Sequence, residues 1–162
     1  MQLDEQRARL IVDLAHSAWS RGDLDGVLAM YVDDLVYESN TYGPDGAPLT
    51  ISGKEAFRAM LEPIAVAAEC VSVPEYFRFT NGEARVWVQY YMCHRTTRHV
   101  LVGSYRQIIK FSGNKITHMK EFHDAARMTT FWTMISRDAE IEKFLSGNSG
   151  SNLPGSELAE IY

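Results

Sequence analysis

The spacing of apolar residues changes along the chain, and the change separates a helical first part from a strand-rich second part. Apolar residues recur every three or four positions from Leu10 to Trp19, which is typical of one face of an amphipathic helix. The first part is therefore predicted to contain a helix over residues 4–20, a short helix over 23–31, a strand over 35–40 and a helix from residue 52.

Apolar and polar residues alternate in the second part, which predicts strands joined by hairpin turns. Asn81-Gly82 is the dipeptide most typical of a two-residue turn, and Ser112-Gly113-Asn114 is a further turn signal. Strands are expected over 76–80, 83–96, 99–111 and 115–124. Asp124 is a suitable N-cap for a last helix containing Phe131 and Trp132, and a further short helix is expected near 139–145.

The order of these elements predicts an α+β fold. Helices come first, an antiparallel meander follows and a helix closes the chain. One curved, mixed or antiparallel sheet is expected to wrap around the N-terminal helices and enclose a pocket. Residues 1–145 are predicted to form a single domain, followed by a polar, Gly/Ser-rich tail over 146–162.

Composition and charge narrow the choice of partners. The chain has 162 residues, of which 46% are hydrophobic, enough for one domain that buries roughly 70% of its unfolded surface. A net charge of −5 without a cluster of Lys or Arg argues against nucleic acid or an anionic membrane as a partner. The charged start does not resemble a signal peptide and no apolar stretch reaches about 20 residues, so a cytoplasmic protein is expected.

The sequence does not predict a metal or cofactor site. Cys70 and Cys93 are isolated, which favours neither a disulfide framework nor a thiolate metal site. His118 and His123 have opposite parity on one strand, so their side chains are expected on opposite faces. We find no HExxH motif and no Gly-rich phosphate loop.

Hairpin turns of two residues would fix which side chains face each other. Tyr76 would then face Trp87, and Arg106 would face both Gln89 and Glu121. The predicted pocket face carries Trp87, Gln89, Tyr91, Ser104, Arg106, Ile108, Met119, Glu121 and His123. A shift of one residue in any hairpin would invert this assignment.

Arg106 between Gln89 and Glu121 is the most specific constellation in this register. A buried carboxylate must be protonated, paired or hydrogen-bonded, because its desolvation otherwise costs several kcal/mol. Glu121 is therefore either a general acid or base tuned by Arg106, with His123 as a second proton carrier, or one half of an internal salt bridge. A working base needs a raised pKa, so catalysis predicts a high pKa for Glu121 and a salt bridge predicts a low one.

The opposite face of the predicted sheet is too apolar to face water. It carries Val88, Tyr90, Met92, Leu101, Tyr105, Ile109, Phe111, Ile116 and Phe122. The N-terminal helices cover the other face, so a second copy of the chain is the expected cover here, which predicts a homodimer packed sheet to sheet. The alternative is that the closing helices cover this face.

Two stretches resemble a known superfamily. Residues 22–34, which read GDLDGVLAMYVDD, resemble the helical entry of the nuclear transport factor two-like superfamily. Residues 115–124, followed by two alanines and an aromatic helix, resemble the final strand of SnoaL-like polyketide cyclases and limonene-epoxide hydrolases. The resemblance implies a cone-shaped, cystatin-like α+β fold, a deep apolar pocket and a homodimer.

The resemblance also tests individual chemistries. Ser39 stands where ketosteroid isomerases have their base, and Ala15 where they have an oxyanion-stabilising Tyr, so that reaction is not expected. Gln89 and Tyr91 replace the Arg-x-Asp pair of the epoxide hydrolases, although Glu121 keeps the acid of the last strand. Polyketide cyclases use a pocket acid with a His, and this is the chemistry that the sequence contradicts least.

Residues and resemblance together predict a small cofactor-independent enzyme, of cyclase, isomerase or hydratase type, that acts by acid–base chemistry on an apolar, carbonyl-bearing molecule. The predicted catalytic residues are Glu121, Arg106 and His123, and the predicted substrate-binding residues are Gln89, Tyr91, Trp87, Tyr37, Ser39 and His16. Each binding residue could instead be core packing. The alternatives for the whole chain are a non-catalytic protein that binds a hydrophobic molecule and an accessory subunit of a larger enzyme.

Overall fold

A computed structural model describes residues 3–42 and 47–147, so the predicted tail lies outside the described residues from position 148 onward. The elements are α1 (Glu5–Ser20), α2 (Leu24–Ala29), β1 (Tyr31–Tyr42), β2 (Pro48–Ser52), α3 (Lys54–Ala67), β3 (Ala68–Thr80), β4 (Glu83–His94), β5 (Val100–Ser112), β6 (Lys115–Phe122) and α4 (Ala125–Gly147). The predicted α+β fold is confirmed. Strand β2 was not predicted, and α4 is one helix where two were expected.

The helix ends follow local rules that the sequence contains. Asp4 caps α1 by accepting a hydrogen bond from the amide of Arg7 at 2.8 Å. Gly22 ends the helix with φ +70°, and the amide of Asp23 donates to the carbonyl of Ala18, which is a Schellman motif. Asp124 caps α4 as predicted, because its carboxylate accepts from the amide of Arg127 at 3.1 Å.

The strands form one curved sheet in the order β2-β1-β6-β5-β4-β3. Strands β1 and β6 are parallel, and the other neighbours are antiparallel. The parallel pair places the first and last strands of the chain side by side at the centre of the sheet. Residues from both strands therefore meet on one face.

The first hairpin forms as predicted and the second does not. Asn81 and Gly82 have φ values of 52° and 76°, as a type I′ turn requires, and Tyr76 pairs with Trp87. Five residues, 95–99, separate β4 from β5 where a two-residue turn was predicted, so Arg106 pairs with Trp87 instead of Gln89. A shift of two residues changes the partners but keeps each side chain on its face.

A β-bulge in β6 overturns the predicted pairing of Arg106 with Glu121. Phe111 pairs with Ile116 and Lys110 with His118, so Thr117 is an extra residue, and its hydroxyl donates to the carbonyl of Lys110 at 3.2 Å. After the bulge the register is offset by one. Glu121 consequently pairs with Gln107, and Arg106 pairs with Phe122.

The two sheet faces therefore differ from those predicted. The inner face, which packs against the helices, carries Val88, Tyr105, Gln107, Ile109, Met119 and Glu121, all buried. The outer face carries Trp87, Gln89, Tyr91, Arg106 and Phe122, all exposed. The predicted pocket face was thus wrong for the residues of β4 and β5, and the predicted dimer face was wrong except for Phe122.

All the helices lie on the inner face. Helices α1, α2 and α3 share one core cluster with the sheet, and Phe131 and Ile135 of α4 pack with Met92 and Leu101 in a second. Met92 and Leu101 belong to the apolar face for which a second copy of the chain was expected, so α4 covers part of that face, as the alternative proposed. The homodimer stays a prediction.

In the part of the chain that the structure describes, none of the helices combines the length and the apolar character that a membrane-spanning helix needs.

Candidate functional site

A cavity of about 640 Å³ lies between the inner face and the helices. Its volume falls within the range of roughly 300–1,000 Å³ common for small-molecule sites. Most of the wall is apolar and comes from every helix, for example Val12, Val27, Phe57 and Trp132. The described part of the chain therefore encloses a space suited to an apolar molecule.

One end of this cavity is polar and is organised around Glu121. Its Oε2 accepts hydrogen bonds from the hydroxyl of Tyr37 at 2.8 Å and from Nε2 of His123 at 2.9 Å. Its Oε1 accepts from Nε2 of Gln107 at 2.8 Å. The sheet explains this convergence, because Gln107 is the β5 partner of Glu121 and Tyr37 lies on the parallel neighbour β1.

These hydrogen bonds keep Glu121 ionised. Burial alone would raise the pKa of Glu121, but the hydrogen bond and the electrostatic attraction of His123, with the hydrogen bonds from Gln107 and Tyr37, outweigh it and lower the pKa below its ordinary value. The raised pKa expected of Glu121 as a working base is therefore absent. The predicted cation is absent as well, because Arg106 lies on the outer face with its guanidinium 5.8 Å from the ring centre of Trp87.

His123 is held from both its backbone and its ring. The side chain of Asn40 donates to the carbonyl of His123 at 2.8 Å and accepts from its amide at 2.7 Å. The imidazole stacks on Tyr105 with ring centres 4.5 Å apart, and Tyr90 contacts it edge-on. These contacts fix the ring beside Glu121 at the edge of the cavity.

Nδ1 of His123 has no hydrogen-bond partner among the described residues, although the atom is buried. An ionised carboxylate only accepts hydrogen bonds, so the proton between Glu121 and His123 lies on Nε2. A neutral His123 therefore has a free lone pair on Nδ1. This nitrogen is the unsatisfied group of a side chain that lines the cavity.

Behind Glu121 lies a second group of polar residues that sequence reasoning largely missed. Gln107 contacts His16, and His16 contacts Ser72. Burial lowers the pKa of His16, and its hydrogen bond with Gln107 opposes this effect only in part. Gln107 could have been found, since the alternation places it between Tyr105 and Ile109 on the inner face.

The remaining predicted site residues separate into two groups. Tyr37 and His16 line the cavity, whereas Ser39 is buried and its hydroxyl pairs with that of Thr41 at 2.9 Å. Trp87 and Gln89 lie outside the cavity, and the amide of Gln89 instead donates to Glu75 at 3.2 Å. Tyr91 is 39% exposed on the outer face, although it also borders the cavity.

The lining has little charge and no obvious nucleophile. Among the described lining residues, Glu121 alone carries a formal charge when the histidines are neutral. Burial raises the pKa of the lining Cys70 to about 11, so its thiol stays protonated near neutrality. Within the described ranges, no cluster of three or more His, Cys, Asp or Glu side chains could hold a metal ion.

The chain is similar to known proteins in a sequence family and in its fold. A family model described as SnoaL-like domain matches residues 12–119, and no curated protein matches. Among solved structures, the chain is similar to a proposed polyketide cyclase of Xanthomonas campestris pv. campestris, with 17% identity over 76% of this chain and 95% of that chain and a TM-score of 0.67. It is also similar to an NTF2-like protein of unknown function from Burkholderia pseudomallei, with 18% identity, coverage of 77% of this chain and 96% of that chain, and a TM-score of 0.66. An LEH-like epoxide hydrolase of Mycobacterium tuberculosis has 16% identity, coverage of 78% of this chain and 90% of that chain, and a TM-score of 0.65. At such identities these structures show a shared fold and no more.

Proposed function

Because the chain belongs to the family of SnoaL-like domains, we propose that it is an acid–base enzyme acting on an apolar, carbonyl-bearing small molecule in the cavity. His123 is the catalytic residue in this proposal, and Glu121 positions it. The reaction is of cyclase, isomerase or hydratase type, in which a proton is moved at or beside a carbonyl group. The residues named supply the proton transfer themselves.

The observation that carries the proposal is the buried, unpartnered Nδ1 of His123. Leaving a buried polar atom without a partner costs about 1–3 kcal/mol, so proteins seldom keep one without a use. A ligand in the cavity that offers a hydrogen-bond donor or an acidic C–H beside its carbonyl group would satisfy this nitrogen. The rest of the imidazole ring already has contacts, because Nε2 donates to Glu121, one face stacks on Tyr105 and Tyr90 contacts the ring edge-on.

The proton is transferred in two steps in this scheme. Neutral His123 takes a proton from the substrate through the lone pair of Nδ1, and the resulting imidazolium is stabilised by ionised Glu121 at 2.9 Å. The same Nδ1 then returns the proton to an oxygen or to another carbon. This assignment reverses the predicted roles, because a Glu121 whose pKa is lowered keeps its charge while His123 moves the proton.

The charge of the cavity indicates a neutral substrate. Glu121 contributes one negative charge, and the described lining residues include no Lys or Arg. A carboxylate or phosphate group on the ligand would lose its hydration and meet a like charge in an apolar space. Ketones, esters and other uncharged carbonyl compounds avoid both costs.

A protein that binds such a molecule without changing it is the second candidate. It is favoured by Glu121 itself, whose three donors and lowered pKa are also what a purely structural buried network would need. The two candidates share the ligand and differ in whether a proton is exchanged.

The test is deuterium exchange at the carbon next to a carbonyl. Apolar ketones and esters that raise the unfolding midpoint of the protein identify ligands, since binding to the native state alone stabilises it. Each ligand is then incubated with the protein in D₂O, and incorporation of deuterium is followed by proton NMR. Catalysis predicts exchange that depends on protein concentration, whereas binding alone predicts a midpoint shift without exchange.

Variants assign the exchange to one residue. His123→Asn keeps a polar group near the position of Nδ1 but cannot take up a proton, so we expect binding to remain and exchange to fall by roughly 10²- to 10⁴-fold. His118→Asn is the matched control, because His118 lies on the outer side of the same strand and pairs with Glu38. Exchange that survives in His123→Asn but is lost in Glu121→Gln would instead identify Glu121 as the base.

A further inference from the structure

A chain of hydrogen bonds runs from Glu121 through β5 to helix α1 and back to β3. Nε2 of Gln107 lies 2.8 Å from Oε1 of Glu121, and Oε1 of Gln107 lies 3.0 Å from Nε2 of His16. Nδ1 of His16 lies 2.7 Å from the hydroxyl oxygen of Ser72. All four residues line the cavity, and each is at most 9% exposed.

The ionised carboxylate sets the direction of every hydrogen bond in this chain. It can only accept, so the amide of Gln107 must present its NH₂ group to Glu121 and its oxygen to His16. Nε2 of His16 must then carry a proton. In the neutral ring Nδ1 is consequently an acceptor, and the hydroxyl of Ser72 donates to it.

The surroundings of the Gln107 amide agree with this direction. The second N–H of the amide is directed at the sulfur of Met119, with a nitrogen–sulfur distance of 3.3 Å. If the amide were rotated by 180°, its oxygen would face the carboxylate of Glu121 and its NH₂ group would face Nε2 of His16. The contact between the two acceptors, the amide oxygen and the carboxylate, would then be repulsive in a space with little water.

We propose that His16 is a positioning residue: as a neutral imidazole with its proton on Nε2, it fixes the Gln107 amide in the orientation that donates to Glu121. Glu121 thereby stays ionised and holds the Nε2 proton of His123, which leaves Nδ1 free. The catalytic consequence rests on the proposed function, but the direction of the hydrogen bonds does not.

The titratable groups around this chain matter for its test. Those that face His16, Glu121 or His123 are Asp13 on α1, Tyr31 and Tyr37 on β1, Cys70 on β3, Tyr90 on β4 and Tyr105 on β5. Burial raises the pKa of Tyr31, Tyr37 and Tyr105, and that of Cys70 to about 11. Tyr31, Tyr37, Tyr105 and Cys70 therefore stay protonated at and below pH 8, where His16 and Glu121 are followed.

The first measurement needs no ligand. Long-range ¹H–¹⁵N NMR of the ¹⁵N-labelled protein distinguishes the two tautomers and the cation of each histidine. We expect His16 at pH 7 to be neutral with its proton on Nε2 and to remain so below its ordinary pKa of 6.5. A cationic His16 at pH 7, or one with its proton on Nδ1, would overturn the proposal.

Two substitutions then test the positioning role. His16→Gln can place an N–H near the position of Nε2, whereas His16→Met fills the space without a donor. We expect the Glu121 carboxyl pKa, followed by ¹³C NMR, to rise in His16→Met and to stay close to the wild-type value in His16→Gln. For a ketone that exchanges deuterium, kcat should fall about two- to tenfold in His16→Met with KM unchanged, and His16→Gln should restore it.

A separate variant distinguishes positioning from loss of stability. Ile11→Ala removes a buried side chain from the same helix that does not line the cavity. It should lower the unfolding midpoint without moving the Glu121 pKa. An unchanged Glu121 pKa in both His16 variants refutes the role of His16 even if exchange is observed. If no ligand exchanges deuterium in the presence of the protein, the proposed effect of His16 on catalysis is refuted. The NMR result on the tautomer of His16 is independent of that outcome.

Discussion

Tyr37 donates its hydroxyl proton to Glu121 over 2.8 Å, from one strand of the sheet to its parallel neighbour. Burial and the nearby carboxylate raise the pKa of Tyr37 well above 10, so the phenol remains a donor near neutral pH. The carboxylate is thus stabilised by two neutral donors, Tyr37 and Gln107, and by His123, and the described lining residues include no Lys or Arg. Its negative charge stays available to a proton that arrives on His123.

Tyr37→Phe should raise the pKa of Glu121 and destabilise the protein. The substitution leaves a buried carboxylate oxygen with one donor fewer, and such a loss costs about 1–3 kcal/mol. Urea unfolding at pH 7 measures the change in the free energy of unfolding. Tyr76→Phe, at a position that is 60% exposed, is the control and should have little effect. Equal stability of the two variants would contradict the hydrogen bond.

Glu121 should make the protein sensitive to acid. Its pKa is lower in the folded state than the ordinary value of 4.5, so its contribution to stability is fully present above pH 4.5 and is lost as the pH falls below it. Glu121→Gln should be less stable than wild type at pH 7, and the difference should shrink below pH 4.5. Unfolding free energies from pH 7 to 3.5 test this, and a difference that stays constant would show that the carboxyl does not titrate abnormally.

His16 should add a second, separate dependence on pH. Burial lowers its pKa below 6.5, so the stability it contributes is present above pH 6.5 and decreases as the pH falls and the unfolded chain takes up the proton. The slope is at most about 1.4 kcal/mol per pH unit for one proton. His16→Gln should remove this slope between pH 6.5 and 5. His94→Gln, at the histidine that ends β4, serves as the comparison.

The charge of the cavity should discriminate an ester from its acid. A methyl ester and the free carboxylate with the same apolar skeleton differ mainly in charge, and the carboxylate would have to be desolvated beside Glu121. We expect the ester to raise the unfolding midpoint at pH 7.5 and the carboxylate to raise it much less. Glu121→Gln should reduce the difference between the two ligands. A stronger shift with the carboxylate would contradict the neutral-substrate proposal.

The predicted homodimer now requires a different surface from the one deduced from the sequence. The outer face exposes Val71, Val73, Tyr76, Trp87, Tyr91, Val102 and Phe122 in adjacent strands. If a second copy packs there, Val102→Asp should shift the sedimentation coefficient from that of a dimer to that of a monomer. Leu10→Asp, at a residue of α1 that is 56% exposed, should not. A monomeric wild-type protein would contradict the predicted homodimer.

The sequence contained most of the fold but not the register of its last strand. The turn at Asn81-Gly82 and the cap at Asp124 depend on neighbouring residues alone, and both formed as predicted. The placement of Glu121 depends on the bulge at Thr117, which a pattern of alternating residues does not reveal. Arg106 was therefore assigned to the wrong face.

The site itself was predicted only in its central pair. Glu121 lies in β6, and His123 directly follows the end of that strand with the same parity, so their proximity follows from the sequence. Other strands contribute Gln107, Ser72 and Tyr105, and helix α1 contributes His16. The two contacts of His16 join residues that are 56 and 91 positions apart in the sequence, with Ser72 and Gln107 respectively. Which of these polar residues meet is decided by how α1 lies across the sheet, and local patterns do not encode that.

The extra residue at Thr117 also determines where the chain tolerates a change of length. Deleting Thr117 would leave Ile116 opposite Phe111 and His118 opposite Lys110, so Glu121 and His123 would still point inward. A deletion at Met119 with the bulge retained would instead turn Lys120 and Phe122 inward and the acid outward. Relatives that differ by a single gap in this strand can therefore have the same pocket or an inverted one, depending on the side of the bulge where the gap falls.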